Sequence, residues 1–376
     1  MERARRILVI DIGTGTQDIL LWESGVAAEN MAQMVMPSPT MRVKRSVRAL
    51  TRAGRSILLT GVTMGGGPGA WVIMDHVRAG LPVYAMPDAA RTLDDDLDRV
   101  QADGIAVISD ESAAPRDAAR VLLQDLDRGA ITAALLVFGV DPHVDALLVA
   151  AFDHGAAPPG YSDRAFRFDY LARTIGASGD LAMLSYLRAD LPAPLTRLAA
   201  IASGVPDDLP LLLMDTGAAA ALGALDHPRV RAANQPLLVN VGNFHTLAFQ
   251  MAPGDDAGGS SRPSTVDVTG LFEHHTGELK PGQIDDLLRR LSDGTLTNAA
   301  VFDTQGHGAL LRDNAPRHPD LCAVTGPRRA LMAASTWRPY DAVPHGDMML
   351  VGCFGLLRAA ARRIPAWRME IESSLV

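Results

Sequence analysis

The chain has 376 residues, 48% apolar and 21% charged, with 35 Lys+Arg against 43 Asp+Glu and a formal net charge of −8. That length suits two domains, the apolar fraction excludes a disordered chain, and an acidic balance with scattered arginines argues against nucleic acid as the main partner. Lys44 and Lys280 are the only lysines and neither follows a glycine, which excludes a G-x-x-x-x-G-K-[ST] phosphate loop, while Cys322 and Cys353 are too few for a cysteine-held iron–sulfur cluster or an all-cysteine zinc site.

Met1–Arg6 leads straight into an apolar strand rather than a signal-type apolar core. The longest apolar stretches, Ala133–Val140 and Ala146–Phe152, are separated by Asp141, His143 and Asp145, so no membrane span is expected and a cytoplasmic location is. Ile7-Leu8-Val9-Ile10 reads as a strand ending in Asp11, and Gly13 and Gly15 punctuate a turn before Ile19–Trp22 resumes as strand. A dinucleotide-binding glycine loop opens into a helix, whereas this pattern is a hairpin. A strand near Met31–Met36, a helix over Met41–Ala53 and a buried strand Ser56–Thr60 follow, the last entering the glycine-rich turn Gly61–Gly69.

Next come a helix (Ala70–Arg78), strands at Leu81–Met86 and Gly104–Ser109, a helix over Arg116–Arg128 and a core strand at Ala133–Val140. Alternation of this kind predicts an α/β architecture. Arg164–Leu187 and Pro192–Ser203 read as helices. The pattern then restarts: Leu211–Met214 enters Asp215, a small-residue helix runs to Leu225, and Leu237–Asn240 enters Gly242. Thr246–Met251 and Thr265–Leu271 read as strands around a Gly254–Pro263 hairpin tip, and Ile284–Leu291 as a helix. Cys322–Thr325 and Met348–Val351 complete the strands, the last opening through Gly352 and Gly355 into an arginine-rich helix.

Three glycine turns carry chemistry. Asp11-Ile12-Gly13-Thr14-Gly15-Thr16-Gln17-Asp18 offers closely approachable amides and the Thr14 and Thr16 hydroxyls, a concavity for an anion. Asn240-Val241-Gly242-Asn243-Phe244-His245-Thr246 repeats the design, and Gly352 and Gly355 mark a third turn, where either a flat ring or simple helix packing fits.

In this order and at these separations the turns resemble the superfamily of actin, sugar kinases and heat-shock chaperone ATPases. The resemblance implies two related RNase H-like α/β domains flanking a nucleotide cleft, residues 1–227 and 228–376, with ATP and Mg²⁺ as cofactors. It assigns phosphate contacts to Gly13, Thr14, Gly15 and Thr16 and to Gly242, Asn243 and Thr246, adenosine contacts to Gly352 and Gly355, and Mg²⁺ to Asp11 through water. Asp215-Thr216 lies 25 residues before Asn240. In hexokinase-like members an aspartate there is the general base, so Asp215 is either that base or a helix cap. Many relatives begin the second hairpin with aspartate where this chain has Asn240, one potential metal-orienting carboxylate fewer.

The segments Gly65-Gly66-Gly67-Pro68, Phe152-Asp153-His154-Gly155, Phe272–Gly277, Gly306-His307-Gly308 and Thr325–Arg329 resemble an uncharacterised family often named "putative pyruvate formate-lyase activating enzyme". That name implies radical S-adenosylmethionine chemistry on a C-x-x-x-C-x-x-C cluster, which this chain lacks. His154, His245, His274, His275 and His307 sit beside glycines or in polar turns, open to sharing a metal or to contacting an anionic substrate; adjacent His274 and His275 point to opposite faces. Arg328 and Arg329 read equally as an anion fork or as surface salt bridging. Two functions are expected: an ATP-dependent phosphotransferase acting on a small molecule, or a nucleotide-gated activator of a partner enzyme. Self-association stays open, and neither a membrane nor nucleic acid is expected as partner.

Overall fold

A computed structural model describes residues 4–254, 266–312 and 317–375. β1 (Arg6–Ile12) is antiparallel to β2 (Thr16–Glu23), which pairs with β3 (Ala32–Pro37). A second sheet intervenes in the chain, with parallel strands β4 (Ile57–Gly61), β5 (Val83–Ala85), β6 (Ala106–Val107) and β7 (Ala119–Leu123) in the order β6-β5-β4-β7. The first sheet then resumes with β8 (Ala146–Ala151), β9 (Ser185–Leu187) and β10 (Leu211–Asp215), giving the order β3-β2-β1-β8-β10-β9. β1 and β8 run parallel at its centre, and Ile7, Val9, Leu147 and Leu148 have no exposed surface, as a strand covered on both faces requires.

The second half repeats this order. β11 (Pro236–Val241), β12 (His245–Pro253), β13 (Val266–His275), β14 (Gly306–Leu311), β15 (Leu321–Thr325) and β16 (Tyr340–Asp341) stack as β14-β13-β12-β11-β15-β16. In each half the first strand pairs antiparallel with the next and parallel with a later one, so β11, β12, β13, β15 and β16 match β1, β2, β3, β8 and β10. Two RNase H-like sheets in one chain give the actin-like ATPase architecture expected from the glycine turns. The β4–β7 sheet is an additional α/β layer inserted into the first half.

The helices Thr216–Ala224 and Val351–Arg363 cross between the two main sheets. Glycine makes the crossing close. A Cβ on Gly223 would lie 1.7 Å from the Val351 carbonyl oxygen, and one on Gly355 would lie 1.8 Å from that of Ala219.

Four elements differ from the sequence reading. Ala133–Val140 is mostly helix (Arg128–Val137): Asp127 caps it by accepting the Ala130 N–H at 3.0 Å, and only Ile131 and Leu135, one turn apart, are buried. An apolar run of eight does not separate strand from helix. Arg116–Arg128 contains β7, where buried Val121 and Leu123 alternate with exposed Arg120 and Leu122. The helix over Arg164–Leu187 stops at Ser178, where Gly179 adopts a left-handed conformation (φ 74°). Met348–Val351 is a turn leading into the Val351–Arg363 helix, so Gly352 and Gly355 are helical. The tip read over Gly254–Pro263 lies, beyond Gly254, outside the described residues.

Candidate functional site

The two hairpin turns close in the same way. Gly13 N–H donates to the Thr16 carbonyl at 2.9 Å, and Gly242 N–H donates to the His245 carbonyl at 2.9 Å. The flanking pairs Ile12–Gln17 and Val241–Thr246 are likewise equivalent. The turns also face each other, since a Cβ on Gly15 would lie 3.1 Å from Asn243 Nδ2. Between them opens a cleft of about 400 Å³, lined by Asp11, Gly13, Thr14, Gly15, Thr16, Gly242 and Asn243 among others.

Asp11 and Asp18 stand opposite each other on β1 and β2, both buried. Asp11 Oδ1 accepts from the Thr216 hydroxyl at 2.6 Å, while Asp18 Oδ1 is buried without a partner. Burial is the main force raising both carboxyls: Asp11 from 3.8 to about 7, helped by nearby Asp215, and Asp18 from 3.8 to about 8, helped by Asp11. A paired carboxylate site with an orphan oxygen at a phosphate-sized turn suits a hard cation.

The inserted layer supplies one wall. Its Gly65–Gly67 loop opens the helix Pro68–Arg78 and lines the cleft. Asp125 accepts the Gly65 N–H at 3.1 Å and is gripped by Arg197, with Nε to Oδ2 at 2.7 Å and Nη2 to Oδ1 at 2.9 Å. A Cβ on Gly65 would meet Arg197 Nη2 at 2.5 Å, and Gly67, at φ 46°, brings the loop against Phe244 of the second turn. Trp71 packs edge-on against Phe244, ring centroids 5.4 Å apart.

Behind the cleft, Arg167 sits between Glu273 (Nε to Oε1 3.0 Å) and Asp215 (Nη2 to Oδ2 2.9 Å) and donates to the Asp153 carbonyl at 2.9 Å. Glu273 is raised from 4.5 to about 7 by burial, against the pull of Arg167. The cation thus links the two halves.

Asp215 Oδ1 accepts from Gly217 N–H at 2.9 Å and Ala218 N–H at 3.2 Å, capping the helix, and Oδ2 faces Arg167. Its carboxylate borders a separate void of about 10 Å³ beside Tyr170 and Tyr186, whereas Thr216 and Gly217 line the cleft. Thr246 does not reach the cleft either: it is fully buried and its hydroxyl pairs with that of Thr276 at 3.0 Å. The residue equivalent to Thr16 is His245. Gly352 and Gly355 do not line the cleft, because the helix needs them for packing, and a Cβ on Gly352 would sit 1.9 Å from Asp11 Oδ2.

The histidines divide. His274 is buried and held by the His275 carbonyl (3.0 Å) and the Thr304 hydroxyl (3.2 Å). His154, His245, His275 and His307 gather at the far end of the cleft, with His245 stacked on Phe152 at 3.9 Å. Burial, then the Arg167 charge, pushes His154 down to about 3 although the residue is exposed at the cleft wall; burial holds His245 and His307 below the usual imidazole range too. The pairing of Asp18 with Asp11 and this convergence of rings are what sequence reasoning did not assemble. The pairing was the more legible of the two, since a hairpin turning at Gly13–Gly15 sets Asp18 opposite Asp11.

Among the described residues neither cysteine joins the histidine cluster: Cys322 is buried and raised to about 12 by burial, and Cys353 donates its thiol to the Asp18 carbonyl at 3.2 Å. Among the described residues, no helix is long and apolar enough to cross a membrane.

A family model described as "Putative pyruvate format-lyase activating enzyme (DUF1786)" matches residues 64–331. No curated protein matches the sequence. Solved structures that align include a ROK family transcriptional regulator, a homologue of the E. coli MLC protein, at 9% identity over 70% of this chain and 40% of that one, TM-score 0.25. An exopolyphosphatase-like protein aligns at 10% identity over 99% and 91% (TM-score 0.28), and the ROK hexokinase from Thermus thermophilus at 10% over 96% and 99% (TM-score 0.31). The chain spans about two fifths of the length of the ROK regulator. The fold assignment rests on strand order.

Proposed function

Given that the chain belongs to the family described as "Putative pyruvate format-lyase activating enzyme", we propose that it binds ATP with Mg²⁺ between its halves and acts as a phosphotransferase on a small molecule. The observation carrying this reading is the pair of identically closed glycine turns that face each other across the cleft. Their free amides and the Thr14 and Thr16 hydroxyls would hold phosphate oxygens, and Asp11 with Asp18 would hold the cation. The volume suits a nucleotide with room for an acceptor. When bound, the cation would neutralise phosphate charge; the chain's own part is to orient the phosphates and exclude water, which is most of what phosphoryl transfer requires. The Gly65–Gly67 wall and His154 border the remaining space, where the acceptor would lie. The family description does not fit the cysteines, which are two, buried and held apart, so no radical step is derived.

One observation favours a second reading. Both Asp215 oxygens are engaged by the helix amides and Arg167, which leaves Asp215 no free oxygen to serve as general base and suits a nucleotide-gated partner of another enzyme. Calorimetric titration with ATP, with and without Mg²⁺, tests the shared premise. Micromolar binding that needs Mg²⁺ is expected, and no binding would refute both readings. Turnover that appears only with a small acceptor supports the phosphotransferase. In that case Asp215→Asn should lower stability but leave turnover per folded molecule within about threefold; a loss of about 100-fold or more at unchanged Tm would make Asp215 the base after all.

A further inference from the structure

We propose that His154, His245 and His307 form a divalent transition-metal site of the zinc class, with an open coordination position toward the cleft. Their donor nitrogens all lie within 4.8 Å of one another. In a tetrahedral zinc site with bonds of about 2.0–2.1 Å, nitrogens stand about 3.3 Å apart, a difference that small ring rotations supply. The three residues come from different elements: His154 from the loop after β8, His245 from the first position of β12 and His307 from β14. The first belongs to one half and the other two to the second.

Ordinary core packing does not account for these rings. His307 is 1% exposed and neither ring nitrogen has a hydrogen-bond partner, and His245 Nε2 is buried and equally unpartnered. A buried polar atom left so costs about 1–3 kcal/mol, and a metal bond removes the deficit. Of the nearby positive charge, Arg167 is matched by Asp215 and Glu273 and Arg197 by Asp125, while Arg164 donates to the Phe302 and Gly306 carbonyls. Imidazole ligands without thiolate or carboxylate select a borderline ion such as Zn²⁺ rather than Mg²⁺, which separates this site chemically from the Asp11–Asp18 pair. Three protein ligands leave one tetrahedral position free. His154 and His245 line the cleft, so that position faces the same space as the phosphate turns and suits water or an anionic oxygen, from a carboxylate or a phosphate. His275, directly across from His245 in the sheet and 4.5 Å ring to ring from His307, stands beside the trio.

The test is Co²⁺ titration of the full chain, stripped with a chelator and free of nucleotide, followed by visible spectroscopy, with Zn²⁺ competition and metal analysis. One equivalent per chain with d–d bands, displaced by Zn²⁺, is expected. His154→Asn and His307→Gln should each weaken binding about 100-fold or more, since even outer-shell changes cost 10–100-fold, while exposed His143→Gln and His318→Gln should not. His154 lies at the wetted side of the cluster, so its variant keeps the test independent of folding, which circular dichroism verifies. Acetate or inorganic phosphate should shift the bands. Absence of saturable binding, equal binding by both cluster variants, loss in the exposed variants, or bands indifferent to both anions would overturn the proposal. Because nucleotide is absent, failure here is distinct from failure of ATP binding.

Discussion

Asp11→Asn separates the proposed function of the carboxylate pair from its effect on stability. The amide has the same shape and still accepts the Thr216 hydroxyl bond, made at 2.6 Å, but it carries no charge next to Asp18. In the fold Asp11 keeps its proton to about pH 7, whereas in the unfolded chain it loses it near 3.8. Between those values the folded state holds the extra proton, so this group's contribution makes stability fall as pH rises and then level off. At 1.36 kcal/mol per pKa unit the plateau is roughly 4 kcal/mol against folding, and at pH 5 about 2. Asparagine escapes both. The variant is therefore expected to be more stable than the parent by about 4 kcal/mol at pH 8, a Tm gain of about 5 °C for a chain of this size, by about 2 kcal/mol at pH 5, and by nothing at pH 3.5. Thermal unfolding in chelator without nucleotide reads the difference. The same variant should bind ATP at least about tenfold more weakly in Mg²⁺, because a carboxylate at the cation is gone. A lower Tm at pH 8, or a gain independent of pH, would refute the reasoning.

Other outcomes follow from the same geometry. Mg²⁺-dependent ATP affinity should rise between pH 6 and about 8.5, because the cation must displace protons from Asp11 and Asp18, held at about 7 and about 8; calorimetry in buffers of different ionisation heat should detect proton release. Arg167→Met should cost about 3–5 kcal/mol by leaving Asp215 and Glu273 buried without their cation, read as a fall in Tm. Gly355→Ala should destabilise by about 3 kcal/mol or more, since its Cβ would meet the Ala219 carbonyl at 1.8 Å in a backbone crossing that cannot yield locally. Gly15→Val should leave Tm within a few degrees but impair ATP binding, because the new side chain enters the gap toward Asn243, where phosphate oxygens would lie.

Both hairpin turns were legible because glycine punctuation between β-branched runs is a local signal, and the turn needs nothing from elsewhere in the chain. Duplicate topology was legible for the same reason, since each half opens with its own hairpin. The inserted sheet was not separated from the first half, because strands as short as Ala106–Val107 carry no period to count. Ala133–Val140 was misread because its exposed face bears Leu136, Val137 and Phe138, an apolar surface that local patterning takes for core. Gly352 illustrates a different limit. A glycine needed for closeness to something looks the same in sequence whether that something is a nucleotide ring or, as here, the carboxylate of Asp11 some 340 residues away.

That closeness bears on how the cleft works. The Val351–Arg363 helix belongs by sequence to the second half, yet it packs on the first sheet, and Gly352 in its first turn lies against Asp11. Thr216, at the first position of the other crossing helix, holds Asp11 from the opposite side. The proposed cation ligand is thus set between the two helices that join the halves. Charge at Asp11 is favoured where helix N-termini converge and opposed by burial and by Asp18. A cation bound there would reverse the balance, turning the repulsive pair into a shared ligand set at the joint between the halves. At the other end of the cleft Arg167 and the histidine cluster also draw on both halves. The cleft is therefore crossed by charge or donor groups at both ends, and a ligand that neutralises either end changes how the halves hold together as well as what the cleft contains.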